Sequence, residues 1–144
     1  MSLHHALKPA SWPRLWLPLL FLTTLLTATG AVAAAGSWVL QAPAVRVAVP
    51  GRQYVSAALV VPEPASLAGR RLVSLSWRYQ LPTGRQLQAW LCQDERCIAL
   101  SAAEGAPDTS GLRLEVPLRF RFALPPGERQ AVTVQGLQLI LNYR

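Results

Sequence analysis

LVSLSWRYQL, running from Leu72 to Leu81, alternates with a period of two: Val73, Leu75, Trp77, Tyr79 and Leu81 fall on one face, and Ser74, Ser76, Arg78 and Gln80 on the other. Successive side chains of a strand point to opposite sides of a sheet, so this pattern specifies a strand with one buried face. Proline and glycine in LPTG, Leu81 to Gly84, are placed for a turn. A second strand follows from about Gln86 to Cys92 through Leu87, Ala89 and Leu91, and a return strand covers about Cys97 to Ser101. Together they predict a meander.

Working outward from this centre, the same period recurs. Leu118, Phe120, Phe122 and Leu124 alternate with Arg119, Arg121 and Ala123, and PPG at Pro125 to Gly127 ends the run. Leu112, Leu114 and Val116 alternate with Arg113 and Glu115 before Pro117, which reads as another short strand. In AVTVQGLQLILNYR, Val132 and Val134 share one phase, whereas Leu137, Leu139, Leu141 and Tyr143 share the opposite one. A phase slip at Gly136 is what a β-bulge produces, because one extra residue reverses the facing of all that follow. Towards the N-terminus, WVLQ near Trp38, VRVAV from Val45 and SAALVV from Ser56 to Val61 are less regular strands, and Ala102 to Gly111 is a surface loop. The expectation is an all-β fold, a small antiparallel β-sandwich of about eight short strands, with a small barrel as the alternative that periodicity does not separate from it.

Residues 1–35 have a different character. Lys8 and Arg14, with His4 and His5, make a weakly basic start; Leu15 to Leu26 is apolar except for Pro18, Thr23 and Thr24; Ala33 and Ala35 are the small residues a signal peptidase accepts. The expected arrangement is therefore a signal peptide over 1–35, cleaved before Gly36, and a single β-sandwich domain over 36–144. The competing reading is an uncleaved anchor, since roughly 20 apolar residues span a bilayer. Pro18 interrupting the run and Gly30 ending it favour cleavage, with no stable membrane insertion afterwards.

Cleavage changes the chemistry of what remains. It removes both histidines and the only lysine, and taking Lys8 and Arg14 from 14 basic residues leaves 12 arginines against 7 acids, a net charge of +5. Arginine forks onto carboxylates and phosphates and stacks on rings, so an acidic partner suits this chain. The arginines are spread out, with Arg70 and Arg71 the only adjacent pair. Export and this spacing together argue against a nucleic-acid partner. Without histidine, Ser-His-Asp and Cys-His catalysis and ordinary zinc sites lose their usual group. Paired carboxylates survive as a formal route through Glu63, Asp94, Glu95, Glu104, Asp108, Glu115 and Glu128, but their places in turns, loops and outward phases fit solvated charges. The expectation is no catalysis, no cofactor and no metal.

Cys92 and Cys97 flank a short polar turn, Gln93 to Arg96, between two runs able to pair. In a secreted chain of this size the pair reads as a disulfide pinning a hairpin tip, contributing about 2 kcal/mol. A redox pair would prefer a two-residue spacing at a helix start, and zinc would want four ligands. For binding, Arg119 and Arg121 project from one strand face, with Arg113 as a neighbour, and these three are the candidate partner-binding residues. An exposed sheet edge is a further route, through strand addition. Trp77 reads as core, while Trp38 and Trp90 are ambiguous.

SWRYQL at Ser76 to Leu81, LCQDERC at Leu91 to Cys97, PLRFRF at Pro117 to Phe122 and LNYR at Leu141 to Arg144, in this order and behind a signal-like segment, resemble the flagellar FlhE family. That resemblance covers most of 36–144 and is strongest after Val73. It implies a periplasmic, non-enzymatic accessory protein of flagellar assembly and swarming, chaperone-like in architecture. It also implies control of proton leakage through the export apparatus and a flagellar rod, basal-body or export-apparatus protein as partner. The competing function is peptidoglycan binding or remodelling for rod passage, which requires a cleft of aromatics and acids such as Trp38 or Trp90 with Glu63.

Overall fold

The computed structural model describes residues 35–62 and 67–144. The expected signal segment lies, apart from Ala35, outside the described residues, as does Glu63. The strands are β1 (Gly36–Ala42), β2 (Val45–Val47), β3 (Gln53–Val55), β4 (Leu72–Gln80), β5 (Gln88–Gln93), β6 (Arg96–Leu100), β7 (Glu104–Gly105), β8 (Leu118–Ala123) and β9 (Val132–Tyr143). They form two antiparallel sheets, ordered β1-β9-β4-β7 with β2 also on β9, and β3-β8-β5-β6. Among the described residues no helix is long and apolar enough to cross a membrane.

The expected alternation builds the core. Leu75, Trp77 and Tyr79 on β4 and Phe120 and Phe122 on β8 are buried. The Tyr79 ring of one sheet meets Phe122 and Phe120 of the other edge-on, with centroids 5.4 and 6.3 Å apart. Fully burying a side chain of this size contributes about 1.5–3 kcal/mol, so this aromatic trio is a principal tie between the layers. Open sheets joined face to face make the fold the sandwich, not the barrel.

The slip at Gly136 is a bulge. Arg78 pairs with Gln138 but Gln80 pairs with Gln135, so β9 carries one more residue than β4 across this interval. Gly136 takes φ +60°, a left-handed conformation that glycine adopts without steric penalty. Val132, Val134, Leu137, Leu139 and Leu141 consequently all face the core. On the opposite side of β9, β1 and β2 break at Pro43 and Ala44 between the pairs Ala42–Leu137 and Val45–Val134. Proline has no N–H to give the ladder, so the interruption falls beside the bulge.

Several expectations change. The described residues form nine strands, against about eight expected. Val73 is 51% exposed, not inward, because Leu72 pairs with Tyr143 and Ser74 with Asn142, which leaves Val73 as the extra residue of a second bulge. Ser56–Val61 is not a strand; it meets β8 through an isolated Leu59–Leu118 bridge and a main-chain bond from the Ser56 N–H to the Phe120 carbonyl (2.9 Å). The Ser56 hydroxyl accepts the Phe120 N–H (3.0 Å) and donates to the Ala57 carbonyl (2.8 Å), so a side chain takes the Phe120 donor that a ladder would pair with backbone. Leu112–Val116 is also irregular. The Gln93 side chain takes up its backbone, accepting the Arg113 N–H (2.9 Å) and donating to the carbonyls of Arg113 (2.7 Å) and Val116 (2.9 Å).

The turn after β5 is correspondingly tighter than expected, Asp94 and Glu95 alone, with Asp94 at φ +51°. Gln93 is therefore a buried strand residue, not part of the turn. The loop after β6 contains the short strand β7, where Gly105 lies under Trp77. A Cβ there would sit 2.6 Å from the indole, so only glycine fits.

Candidate functional site on the outer face of the second sheet

Because Leu118, Phe120 and Phe122 point inward, Arg119 and Arg121 project from the outer face of the second sheet. Register then fixes their neighbours. Arg121 pairs with Trp90 of β5 on one side and Val55 of β3 on the other, and Trp90 pairs with Ala99 of β6. Arg119 pairs with Cys92, which pairs with Cys97. The outer face thus carries one row of Val55, Arg121, Trp90 and Ala99 beside a second of Arg119, Cys92 and Cys97. Cross-strand neighbours stand about 4.5–5.5 Å apart at Cβ, near enough for the arginine stems to lie along apolar side chains.

These side chains have carboxylates near them but no ion pair among the described residues. Arg121 is half-buried, and its Nε is buried with no hydrogen-bond partner. Among the described residues the one ion pair is Arg85–Glu128 at 3.2 Å, away from this face. Asp94 and Glu95 share a shallow concavity of about 240 Å³ with Arg119 and Arg121 but form no ion pair with them. Val55 is 48% exposed beside them. Guanidinium groups flanked by an indole and an aliphatic side chain, and not neutralised internally, can grip a carboxylate while covering apolar surface.

The cysteines set this face in place. A two-residue turn makes Gln93 and Arg96 its hydrogen-bonded flanking pair, so Cys92 and Cys97 form the next, non-hydrogen-bonded pair, where side chains stand closest. They are joined as a disulfide with Cα atoms 4.0 Å apart. The bridge fastens the β5–β6 tip next to Arg119. No free cysteine remains among the described residues.

The three arginines expected together separate into two places. Arg119 and Arg121 share the outer face, but Arg113 borders a different concavity with Arg70, Arg71 and Leu72. Trp38 is inward on β1 and stacks on Tyr143 at 3.8 Å, in the other sheet from Trp90. The acids are dispersed as well. Asp108 accepts both the N–H (2.9 Å) and the hydroxyl (2.7 Å) of Ser110, and these bonds hold its carboxyl below its ordinary pKa. Glu104 is opposite Arg78 in the β4–β7 pair. No group of three or more metal-binding side chains forms among the described residues. Sequence reasoning left Trp90 ambiguous; its place beside Arg121 follows from register, which periodicity within one strand does not contain.

Residues 44–144 match the protein family described as flagellar protein FlhE. The chain belongs to the FlhE family. The FlhE match spans β2 to β9, and with them every residue of the arginine face. The flagellar protein FlhE of Yersinia enterocolitica is 32% identical over 118 residues, covering 77% of this chain and 83% of that protein. A crystal structure of FlhE superposes with a TM-score of 0.62 at 29% identity, covering 76% of this chain and 97% of that one. FlhE membership associates this chain with the flagellar machinery.

Proposed function

We propose that this FlhE-family protein is a non-enzymatic periplasmic accessory factor of flagellar assembly. It is exported by a cleaved segment 1–35 and acts as a single domain over 36–144. It binds a rod, basal-body or export-apparatus protein, in a chaperone-like or plug-like manner, and thereby limits proton leakage through the export apparatus. The observation carrying this reading is Arg121, registered between Trp90 and Val55 beside Arg119, with its Nε unpartnered. A protein partner with a carboxylate set in an apolar patch would meet both halves of that face. Aromatic and arginine side chains in such surroundings are the groups that dominate protein interfaces.

The test is complementation of a strain lacking its own copy by the R119E/R121E protein. Expected are periplasmic levels close to those of the unaltered protein together with loss of swarming and increased proton entry. Full restoration of both would remove the arginine face from the account. Sedimentation of the purified protein with cell-wall sacculi, abolished by the same exchange, would instead assign the face to peptidoglycan.

A further inference from the structure

A second cluster of arginines lies outside the face described above. Arg70 and Arg71, just before β4, line an open groove of about 460 Å³ together with Arg113 and the rest of the loop from Thr109 to Glu115. Each is anchored by something other than a counter-ion. Arg70 stands over the Tyr143 ring at 4.7 Å, and Tyr143 is itself stacked on Trp38 at 3.8 Å. Arg71 exchanges two main-chain bonds with Arg144, of 2.8 and 3.1 Å. Arg113 is held at both its N–H and its carbonyl by the buried Gln93. Their backbones or side-chain stems are thus set by the fold, while none of the three guanidiniums forms an ion pair among the described residues.

We infer that this groove recognises an extended acidic peptide segment. Three cations against the single acid Glu115 in its lining make it complementary to carboxylates. Leu72 and Leu112, both half-buried in the same lining, add apolar surface between the charges. That alternation suits a peptide carrying acids and apolar residues in turn, whereas inorganic phosphate has no use for the leucines. The seat of Arg70 on the Tyr143 ring is formed before binding, so at that residue little side-chain freedom is lost on recognition. The groove shares no residue with the Arg119–Arg121 face, so either can fail alone.

The test is fluorescence anisotropy with a labelled, acetylated decapeptide alternating glutamate and leucine, and with its glutamine–leucine counterpart. Expected is salt-sensitive binding of the glutamate peptide that weakens at least about tenfold in R70Q/R71Q/R113Q and less than about twofold in R119Q/R121Q. R113E alone, in which the backbone anchoring by Gln93 is retained, should weaken it comparably and serves if the triple variant fails to fold. Equal binding of the glutamine peptide, or unchanged binding in both groove variants, would overturn the inference. So would groove-dependent binding of inorganic phosphate or phosphatidylglycerol vesicles without binding of the glutamate peptide.

Discussion

The two outer faces of the sandwich share an interior but are finished differently. On the first sheet, Ser37, Asn142 and Ser74 line up in one row, Val39, Ile140 and Ser76 in the next, and Gln41, Gln138 and Arg78 in a third. That surface is mostly small and polar: Asn142 donates to the Ser74 hydroxyl at 2.8 Å, and its one arginine, Arg78, has Glu104 opposite in the ladder without forming an ion pair. On the second sheet the corresponding rows present Arg119 and Arg121 with Trp90 and Val55, two cations beside an indole, and neither arginine forms an ion pair among the described residues. Packing dictated both inner faces, whereas stability leaves the outer ones free. A face left with cations beside an indole is therefore where recognition is to be sought.

The largest expected effect erases the comparison altogether. Phe120→Ala removes a fully buried ring from the contact between layers and should cost about 3–5 kcal/mol in urea unfolding, disturbing both faces alike. Replacing Cys92 and Cys97 together by alanine should cost about 2 kcal/mol, since the bridge closes a short loop. Amide exchange in that variant should rise along β5 and β6 and stay unchanged along β1 and β9, which sharpens the distinction between the sheets. Uniform loss of protection would erase it.

The smallest effect concerns the connections between the sheets. Arg85, between β4 and β5, pairs with Glu128 at 3.2 Å and donates to the Gln130 carbonyl at 2.7 Å, clasping the β8–β9 connection. The Gln130 N–H, and secondarily Arg85, hold the Glu128 carboxyl below its ordinary pKa. A depressed carboxyl stabilises the fold above its unfolded pKa and loses that contribution as pH falls through the folded value. Melting temperatures of Glu128→Gln and the unaltered protein should accordingly differ slightly near neutrality and converge in acid. A difference that persists in acid would separate the clasp from this ionisation.

Much of this was legible because strand facing is a local property. β4, β8 and β9 follow their alternation, and the reversal at Gly136 announced its bulge. Two other apolar segments misled, the less regular Ser56–Val61 and the alternating Leu112–Val116. In each, part of the backbone pairing is taken by a side chain, Ser56 receiving the Phe120 N–H and Gln93 the Arg113 N–H, and both bonds join residues far apart in sequence. Val73 failed for a related reason, since a bulge on β4 is defined by its pairing with β9. The site divides along the same line. That Arg119 and Arg121 point outward was readable from one strand, but Trp90 beside Arg121, and Arg113 with Arg70 and Arg71 instead, depend on which strands and loops become neighbours.

The central claim is that the second sheet's outer face, and not the first's, meets the flagellar apparatus. Site-specific photo-crosslinking in cells building flagella tests it, with the probe placed either at Ala99, in the Trp90 row, or at Val39, 54% exposed on the first sheet. The Ala99 probe is expected to capture a rod, basal-body or export-apparatus protein, and the Val39 probe is not. Capture of the same flagellar protein from Val39 with equal yield, or of no flagellar protein from Ala99, would contradict it.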